Sequence, residues 1–254
     1  MKLRDRVAII TGVGKDHAMG RGIARCLAAE GARLVLNSAS PDSVQGALTE
    51  IHNMGGQAVG VPGDAADRQC SRKLVETALS EYGRLDTLVC NAGINAFTMF
   101  EETTEEKARR VVDVNFFGTF NLCQEALEPM KKQGGSIVVI TSVHAESAYP
   151  GSSIYNFTKA GLNHFASTLG LELAKYRIRV NALEPGWVET PGSTGDMTAE
   201  QIAHEEKNTI PWGRMGQPED IGKAVVFLAS DDADYVTASM MRVDGGLIAA
   251  ESHA

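Results

Sequence analysis

The stretch Val7-Ala-Ile-Ile-Thr-Gly-Val-Gly-Lys-Asp-His-Ala-Met-Gly-Arg-Gly-Ile-Ala24 decides the fold. An aliphatic, β-branched run over residues 7–11 passes without polar alternation into a glycine-rich turn, and the turn opens a helical pattern predicted over 22–30. A strand that is apolar on both sides belongs in a parallel sheet covered by helices on both faces. Glycines between such a strand and helix permit positive φ. They also let a pyrophosphate approach the free N–H groups of a helix N-terminus, where the macrodipole favours negative charge. Gly12, Gly14, Gly20 and Gly22 are the candidates for that cradle. Glycines after a strand also make ordinary turns. Their place at the first βα connection is what makes this one a candidate dinucleotide site.

The same alternation continues outward from this unit. Strand-like runs are read at 33–37, 58–61, 87–90, 136–141, 179–182 and 240–243, and helical patterns at 67–82, 105–132, 153–175 and 218–230. Alternating βα units predict an α/β fold, a Rossmann-like doubly wound parallel sheet of about seven strands with helices on both faces. No repeat or linker interrupts the chain, so residues 1–254 are expected to form a single dinucleotide-binding and catalytic domain. The exception is 186–216, rich in Gly, Pro and Thr around a short helical pattern at 198–207. A segment of that length with little regular structure is expected to be a substrate loop or lid.

The 254 residues carry a formal net charge of -8, and no Lys/Arg run exceeds a pair, which argues against nucleic acid or an anionic membrane as partner. No apolar stretch is long enough to span a bilayer. The four scattered cysteines form no paired motif, so no metal site is expected and a reduced, cytoplasmic location is the default.

An acidic residue at the end of the second strand would bond the adenosine ribose and repel a 2′-phosphate. This chain reads Leu34-Val-Leu-Asn-Ser-Ala-Ser40, with no carboxylate at the tip. Asn37, Ser38 and Ser40 can donate hydrogen bonds to a phosphate, with charge from Lys15 or Arg21. The reading favours NADP(H) and leaves NAD(H) open, since Ser and Asn are also good turn formers. Asp64, followed by Ala65, is placed to bond an adenine amino group, and Asn91-Ala92-Gly93 offers small residues for close cofactor approach.

Tyr155 and Lys159 stand four residues apart at the start of a helical pattern, which puts both on one helix face. A tyrosine with a pKa of about 10 is a poor acid–base catalyst at neutral pH, and a neighbouring ammonium or oxidised nicotinamide would favour its phenolate. Ser142, just after the fifth strand, can orient a substrate oxygen. Asn115 is polar among apolar neighbours and either bonds a main-chain carbonyl or holds a water.

In these residues the chain resembles the short-chain dehydrogenase/reductase family, and the likeness covers essentially the whole length. It takes in the glycine loop, Asp64, Asn91-Ala-Gly93, Asn115, Ser142, Tyr155, Lys159, Pro185-Gly186 with Thr190, Arg214-Met-Gly-Gln-Pro218 and Val243-Asp-Gly-Gly246. The resemblance implies a catalytic tetrad of Asn115, Ser142, Tyr155 and Lys159. In it Tyr155 is the acid–base, Ser142 positions the substrate oxygen, Lys159 bonds the nicotinamide ribose and Asn115 holds a relay water. It also implies that Pro185, Gly186, Val188 and Thr190 border the nicotinamide, and that the protein is a homotetramer or a dimer with the last strand near a subunit contact.

Two positions depart from the pattern. Seven residues separate Gly12 from Gly20 where the family usually has three, and Thr237-Ala238 stands where Thr-Gly is usual. The longer loop is similar to that of enoyl-acyl-carrier reductases, but their tyrosine–lysine spacing would put the tyrosine at position 152, which is Ser152.

Substrate choice is read from His144, Glu146, Glu184, Trp187 and residues 191–212 as candidate pocket walls. His144 and Trp187 are the substrate candidates. Ser142-Val-His144 is similar to glucose 1-dehydrogenases, and the overall likeness to 3-oxoacyl-acyl-carrier reductases is comparable. The expected substrate is a small polar hydroxy or keto compound such as a sugar or polyol, ahead of a 3-oxoacyl thioester. A catalytically idle cofactor-binding protein is the reading from another class, and the complete tetrad speaks against it.

Overall fold

The alternating pattern becomes β1 (Val7–Ile10), α1 (Met19–Ala29), β2 (Arg33–Ser38), α2 (Pro41–Asn53), β3 (Gln57–Pro62), α3 (Arg68–Tyr82) and β4 (Thr87–Cys90). There follow α4 (Glu105–Val112), α5 (Gly118–Lys131), β5 (Gly135–Ile140), α6 (Ser153–Leu173) and β6 (Ile178–Pro185). The chain closes with α7 (Pro191–Thr194), α8 (Ala199–Asn208), α9 (Pro218–Ala229), β7 (Met240–Val243) and α10 (Leu247–Glu251). These coordinates are a computed structural model that describes residues 1–195 and 197–251.

The seven strands form one parallel sheet in the order β3-β2-β1-β4-β5-β6-β7. The order reverses between β1 and β4, and a crevice opens there outside the carboxyl ends of the strands. Strand residues alternate between two cores. Ala8, Ile10, Leu34, Leu36, Val138 and Ile140 pack with α1, α2 and α9. Val7, Ile9, Val35, Ile137 and Val139 pack on the other face with α3, α5 and α6. Both faces being buried is why no strand needed polar alternation.

Glycine sets the closest helix approach. A Cβ at Gly22 would lie 2.3 Å from Pro218 Cβ, and one at Gly222 would lie 2.6 Å from Cys26 Sγ. Gly22 therefore serves the packing of α1 on α9 and not the phosphate cradle, a correction to its expected role. Helix α1 begins at Met19, three residues before the sequence pattern suggested.

Two helical readings change. Helix α2 was missed, although Ser40 caps it by accepting from Ser43 N–H, Pro41 opens it, and Val44, Ala47 and Ile51 are buried along one face. The pattern at 105–132 is helical throughout 105–131, but not uniformly α. A π-helical turn at Asp113–Phe117 separates α4 from α5 and carries Asn115. The segment expected as a lid holds α7 and α8 joined by irregular chain, and Asp196 within it lies outside the described residues. Ala238 adopts φ +56°, which explains the glycine usual at that place. An L-residue in this region costs roughly 1–2 kcal/mol, and its N–H is held by Val180 O at 2.8 Å.

Candidate active site

The crevice at the β1/β4 reversal has a volume of about 570 Å³. Gly12, Gly14, Lys15, Gly20, Ser38, Asp64, Ala65, Asn91, Ala92, Gly93 and Thr190 all line it, so the structure brings most of the predicted cofactor residues to one surface. Gly12 has φ +70°, and a Cβ there would meet Ala92 Cα at 2.7 Å. A Cβ at Gly20 would lie 2.4 Å from Gly12 O, so no side chain fits at either position. Asn91 Nδ2 donates to Thr11 O (3.0 Å) and Gly12 O (2.8 Å), and Thr11 Oγ1 accepts from the N–H groups of Asn91 and Ala92. The β4 end thus holds the glycine turn open from below. The four extra residues, Lys15 to Ala18, form a turn closed by Ala18 N–H on Lys15 O, with His17 at φ +57°; Asp16 and His17 point outward, while Lys15 and Ala18 line the crevice.

The residues around the crevice fit a nicotinamide dinucleotide: a side-chain-free cradle where phosphates would lie, Asp64 on the lining, and Lys159 next to the lining residue Gly93. Bound there, such a cofactor supplies the hydride that moves to or from carbon. Asp64 Oδ1 accepts from Ala66 N–H (3.0 Å) and Oδ2 pairs with Arg110 Nη1 (2.8 Å). Burial opposes its charge, but Arg110 and the Ala66 N–H outweigh it and hold the carboxyl below the usual range.

Three phosphate candidates are corrected. Arg21 is buried, paired with Glu50 at 2.9 Å and bonded to Ser43 O, so its charge is used inside the fold. Asn37 Nδ2 is spent on Val61 O and Gly63 O, both at 3.0 Å. Ser40 caps α2 as an acceptor and does not line the crevice. Asn37 still lines the crevice, with its side-chain donors engaged, together with Ser38 and the exposed Lys15.

Tyr155, Lys159 and Asn163 form one row along α6, each four residues from the next. Lys159 is buried, its Nζ donating to Ile140 O at 2.9 Å and lying 5.4 Å from the centre of the Tyr155 ring. Burial lowers the Lys159 pKa from 10.5 to about 8. Burial raises the Tyr155 phenol above its ordinary value, and the Ser142 hydroxyl partly offsets this. Lowering it enough for base chemistry must therefore come from positive charge. Ser142 Oγ also accepts from His144 N–H (3.1 Å), which fixes its loop.

Asn115 Oδ1 accepts from Ile94 N–H at 2.8 Å, and its Nδ2 donates to Ile94 O and Thr158 Oγ1, both at 3.0 Å. The π turn aims this amide at the β4 loop and at α6 together. Gly93 lies between them: a Cβ there would be 3.4 Å from Lys159 Nζ and 3.5 Å from Asn115 Oδ1.

Pro185 and Gly186 sit at the β6 end, with Gly186 N–H on Val243 O at 2.9 Å. The Val188 side chain is buried in the core against the sheet, so only its main chain is available to a cofactor. Trp187 is half-buried, its carbonyl accepting from Gly216 N–H. Glu184 is an interior residue, 1% exposed, and not a pocket wall. The sequence reading missed an aromatic row beside Tyr155. The His144 ring centre lies 6.2 Å from that of Tyr155 and 5.4 Å from Tyr149, and Tyr149 lies 6.5 Å from Phe97.

This parallel sheet, glycine cradle and Ser–Tyr–Lys cluster define a nicotinamide-dependent oxidoreductase. A family model described as enoyl-(acyl carrier protein) reductase matches residues 12–248, and the chain belongs to the short-chain dehydrogenase/reductase family. It is similar to the L-rhamnose 1-dehydrogenase (NAD(P)(+)) of Azotobacter vinelandii, 38% identical over 97% of this chain and 98% of that one. It is similar also to the 3-oxoacyl-[acyl-carrier-protein] reductase of Thermotoga maritima, 34% identical over 98% and 100%. A solved 7α-hydroxysteroid dehydrogenase complexed with NADH and 7-oxo glycochenodeoxycholic acid superposes with a TM-score of 0.90 at 33% identity, covering 96% of this chain and 95% of that one. The chain is accordingly an enzyme acting on alcohol or carbonyl groups with a nicotinamide cofactor. Among the described residues no helix is long and apolar enough to cross a membrane.

Proposed function

We propose that this protein interconverts a secondary alcohol or lactol with its carbonyl, using NADP(H) in preference to NAD(H), on a small polar ring compound such as a sugar. Tyr155 moves the proton at the substrate oxygen, Ser142 orients that oxygen, Lys159 stabilises the phenolate, and Asn115 holds the β4 loop against α6. The observation that carries this reading is Tyr155 and Lys159 on one face of α6, with Lys159 Nζ 5.4 Å from the Tyr155 ring centre and 3.4 Å from where a Cβ on Gly93, a lining residue of the crevice, would stand.

The aromatic row supports a ring substrate. Phe97 is 65% exposed and Tyr149 is 55% exposed beside the acid–base. The two loops that carry them are joined by Thr98 N–H on Gly151 O and Asn95 Nδ2 on Ser152 Oγ, both 2.9 Å. A rigid apolar shelf suits the C–H face of a ring, whose hydroxyls then face solvent or Ser142. The 3-oxoacyl thioester is the second reading, favoured by the reductase relative. Its carrier would need a basic surface, and the chain carries a net -8. The preference for NADP(H) is supported by the absence of a carboxylate at the β2 tip and by Ser38 and Lys15 on the lining.

A homotetramer, or a dimer, is supported by apolar side chains left outside: Phe117 on the π turn, Phe157 and Leu171 on α6, and Met240 on the edge strand β7. All four cysteines are free thiols, as a reducing cytoplasm would keep them.

Fluorescence titration with NADPH and NADH tests the cofactor. NADPH is expected to bind at least about tenfold tighter, and Lys15→Ala to lose about tenfold in NADPH affinity with NADH unchanged. Preference for NADH would overturn the phosphate reading. A panel of L-rhamnose, D-glucose, cyclopentanol and a 3-oxoacyl thioester then tests the substrate: faster turnover of the thioester would replace the ring reading with the second one.

A further inference from the structure

Glu184 is a buried carboxyl that the proton chemistry above does not use. It stands opposite Arg242 in the β6/β7 register, immediately before Pro185 and Gly186. Its Oε1 accepts from Asn163 Nδ2 at 2.5 Å, and its Oε2 lies 3.7 Å from Arg242 Nε. Arg242 Nη2 also donates to Glu146, so one guanidinium faces both the Glu146 and the Glu184 carboxyls. Glu146 follows directly on the turn that carries Ser142, whose neighbour Thr141 is fixed to Leu183 O through its N–H at 2.8 Å.

These contacts have a common consequence. The polar row of α6 docks on the sheet at two points, Lys159 on Ile140 O and Asn163 on Glu184. The second point also ties in the Ser142 loop through Glu146 and the edge strand through Arg242. A helix held by two polar anchors one turn apart is fixed in rotation as well as position. A burial this complete would be costly for a lone carboxylate, and the partners offset that cost.

From this geometry we infer that Glu184 is a positioning residue, which sets α6 against the sheet and the Ser142 loop and so holds Tyr155 and Ser142 in place for the proton transfer. The inference rests on the oxidoreductase reading. Misplacement of a reacting group by about 1 Å can cost on the order of 100-fold in rate.

The test compares Glu184→Leu with Glu184→Gln in the full-length protein. Three readouts are followed: kcat on whichever panel alcohol the wild type oxidises fastest, NADPH affinity by fluorescence, and titration of Tyr155 by phenolate absorbance after subtracting the Tyr155→Phe background. Glu184→Leu is expected to lose about 10- to 100-fold in kcat with NADPH affinity within about threefold, and to shift the Tyr155 titration. Glu184→Gln, which keeps the acceptor for Asn163 Nδ2, is expected to restore kcat to within about threefold.

If Glu184→Leu does not fold, Asn163→Leu removes the same anchor from the helix side and is read in the same way. An unchanged kcat and Tyr155 titration in the leucine variant overturns the inference, whatever its melting temperature does. So does a glutamine variant as impaired as the leucine one, because charge and not hydrogen bonding would then be the requirement. If the wild type turns over no panel compound, the substrate reading fails separately, and the Tyr155 titration still decides the role of Glu184.

Discussion

Replacing Tyr155 by phenylalanine is expected to cut kcat by about 10²- to 10⁴-fold, the usual worth of a positioned acid–base, with NADPH affinity within a few-fold. The substitution removes one hydroxyl and keeps the ring, so the packing of α6 on the sheet and the contact with His144 persist. In the oxidative direction the phenol must first lose its proton. Burial holds that proton on, Ser142 loosens it, and the ammonium of Lys159 favours the phenolate. Wild-type oxidation is therefore expected to rise with pH into the alkaline range and reduction to fall, the two groups titrating as a coupled pair. Stopped-flow measurement of hydride transfer across pH checks both parts. A variant that retains substantial turnover, with the wild-type pH dependence, would remove Tyr155 from the reaction.

Lys159→Met is expected to abolish most turnover and yet make the protein more stable. A buried ammonium whose pKa falls from 10.5 to about 8 opposes folding at neutral pH, by roughly 3 kcal/mol as an order of magnitude. The sign follows from proton uptake: below 10.5 the unfolded chain binds this proton more readily than the native one does. The penalty is present in full below about pH 8 and disappears as pH rises from about 8 to 10.5. Methionine fills a similar volume without charge, but it leaves Ile140 O without its donor, which costs about 1–3 kcal/mol. A net gain of about 1 kcal/mol, or about 2–4 °C in Tm, is expected at pH 7, shrinking towards pH 10. Melting curves at several pH values decide the matter. A Tm difference that is independent of pH would mean that lysine desolvation is not its source.

Most strands were legible because burial on both faces writes a continuous apolar run, and β1, β2, β4 and β5 fall close to where such runs stand, as does the exposed edge strand β7. The site residues were legible where a short spacing puts them together, as with Tyr155 and Lys159 on one helix face. What the sequence hid was long-range. Nothing near Asn115 announces Ile94 and Thr158 as its partners, and nothing near Arg21 announces Glu50. Gly22 looks like a phosphate glycine until Pro218 is found against it, 196 positions away in the chain. Helix α2 was hidden for another reason. Its apolar face is built from Val44, Ala47 and Ile51, small in number and interrupted by Gly46, so the periodic signal is thin even though Ser40 and Pro41 mark its start.

The π turn at Asp113–Phe117 constrains how the chain can change length. A π turn is a helix holding one residue more than the regular winding would, so deleting any single residue there restores an ordinary α-helix at little cost in backbone hydrogen bonds. The flanking turns keep their phase, because the extra residue is taken up in the wider turn, but the bulge that carries Asn115 and Phe116 is lost. Asn115 would leave Ile94 and Thr158, or the Phe116–Phe165 contact at 5.6 Å would open. Loops such as the one at Lys15 to Ala18 take up extra residues in a turn of their own, whereas the segment at 113–117 has no such freedom in either direction.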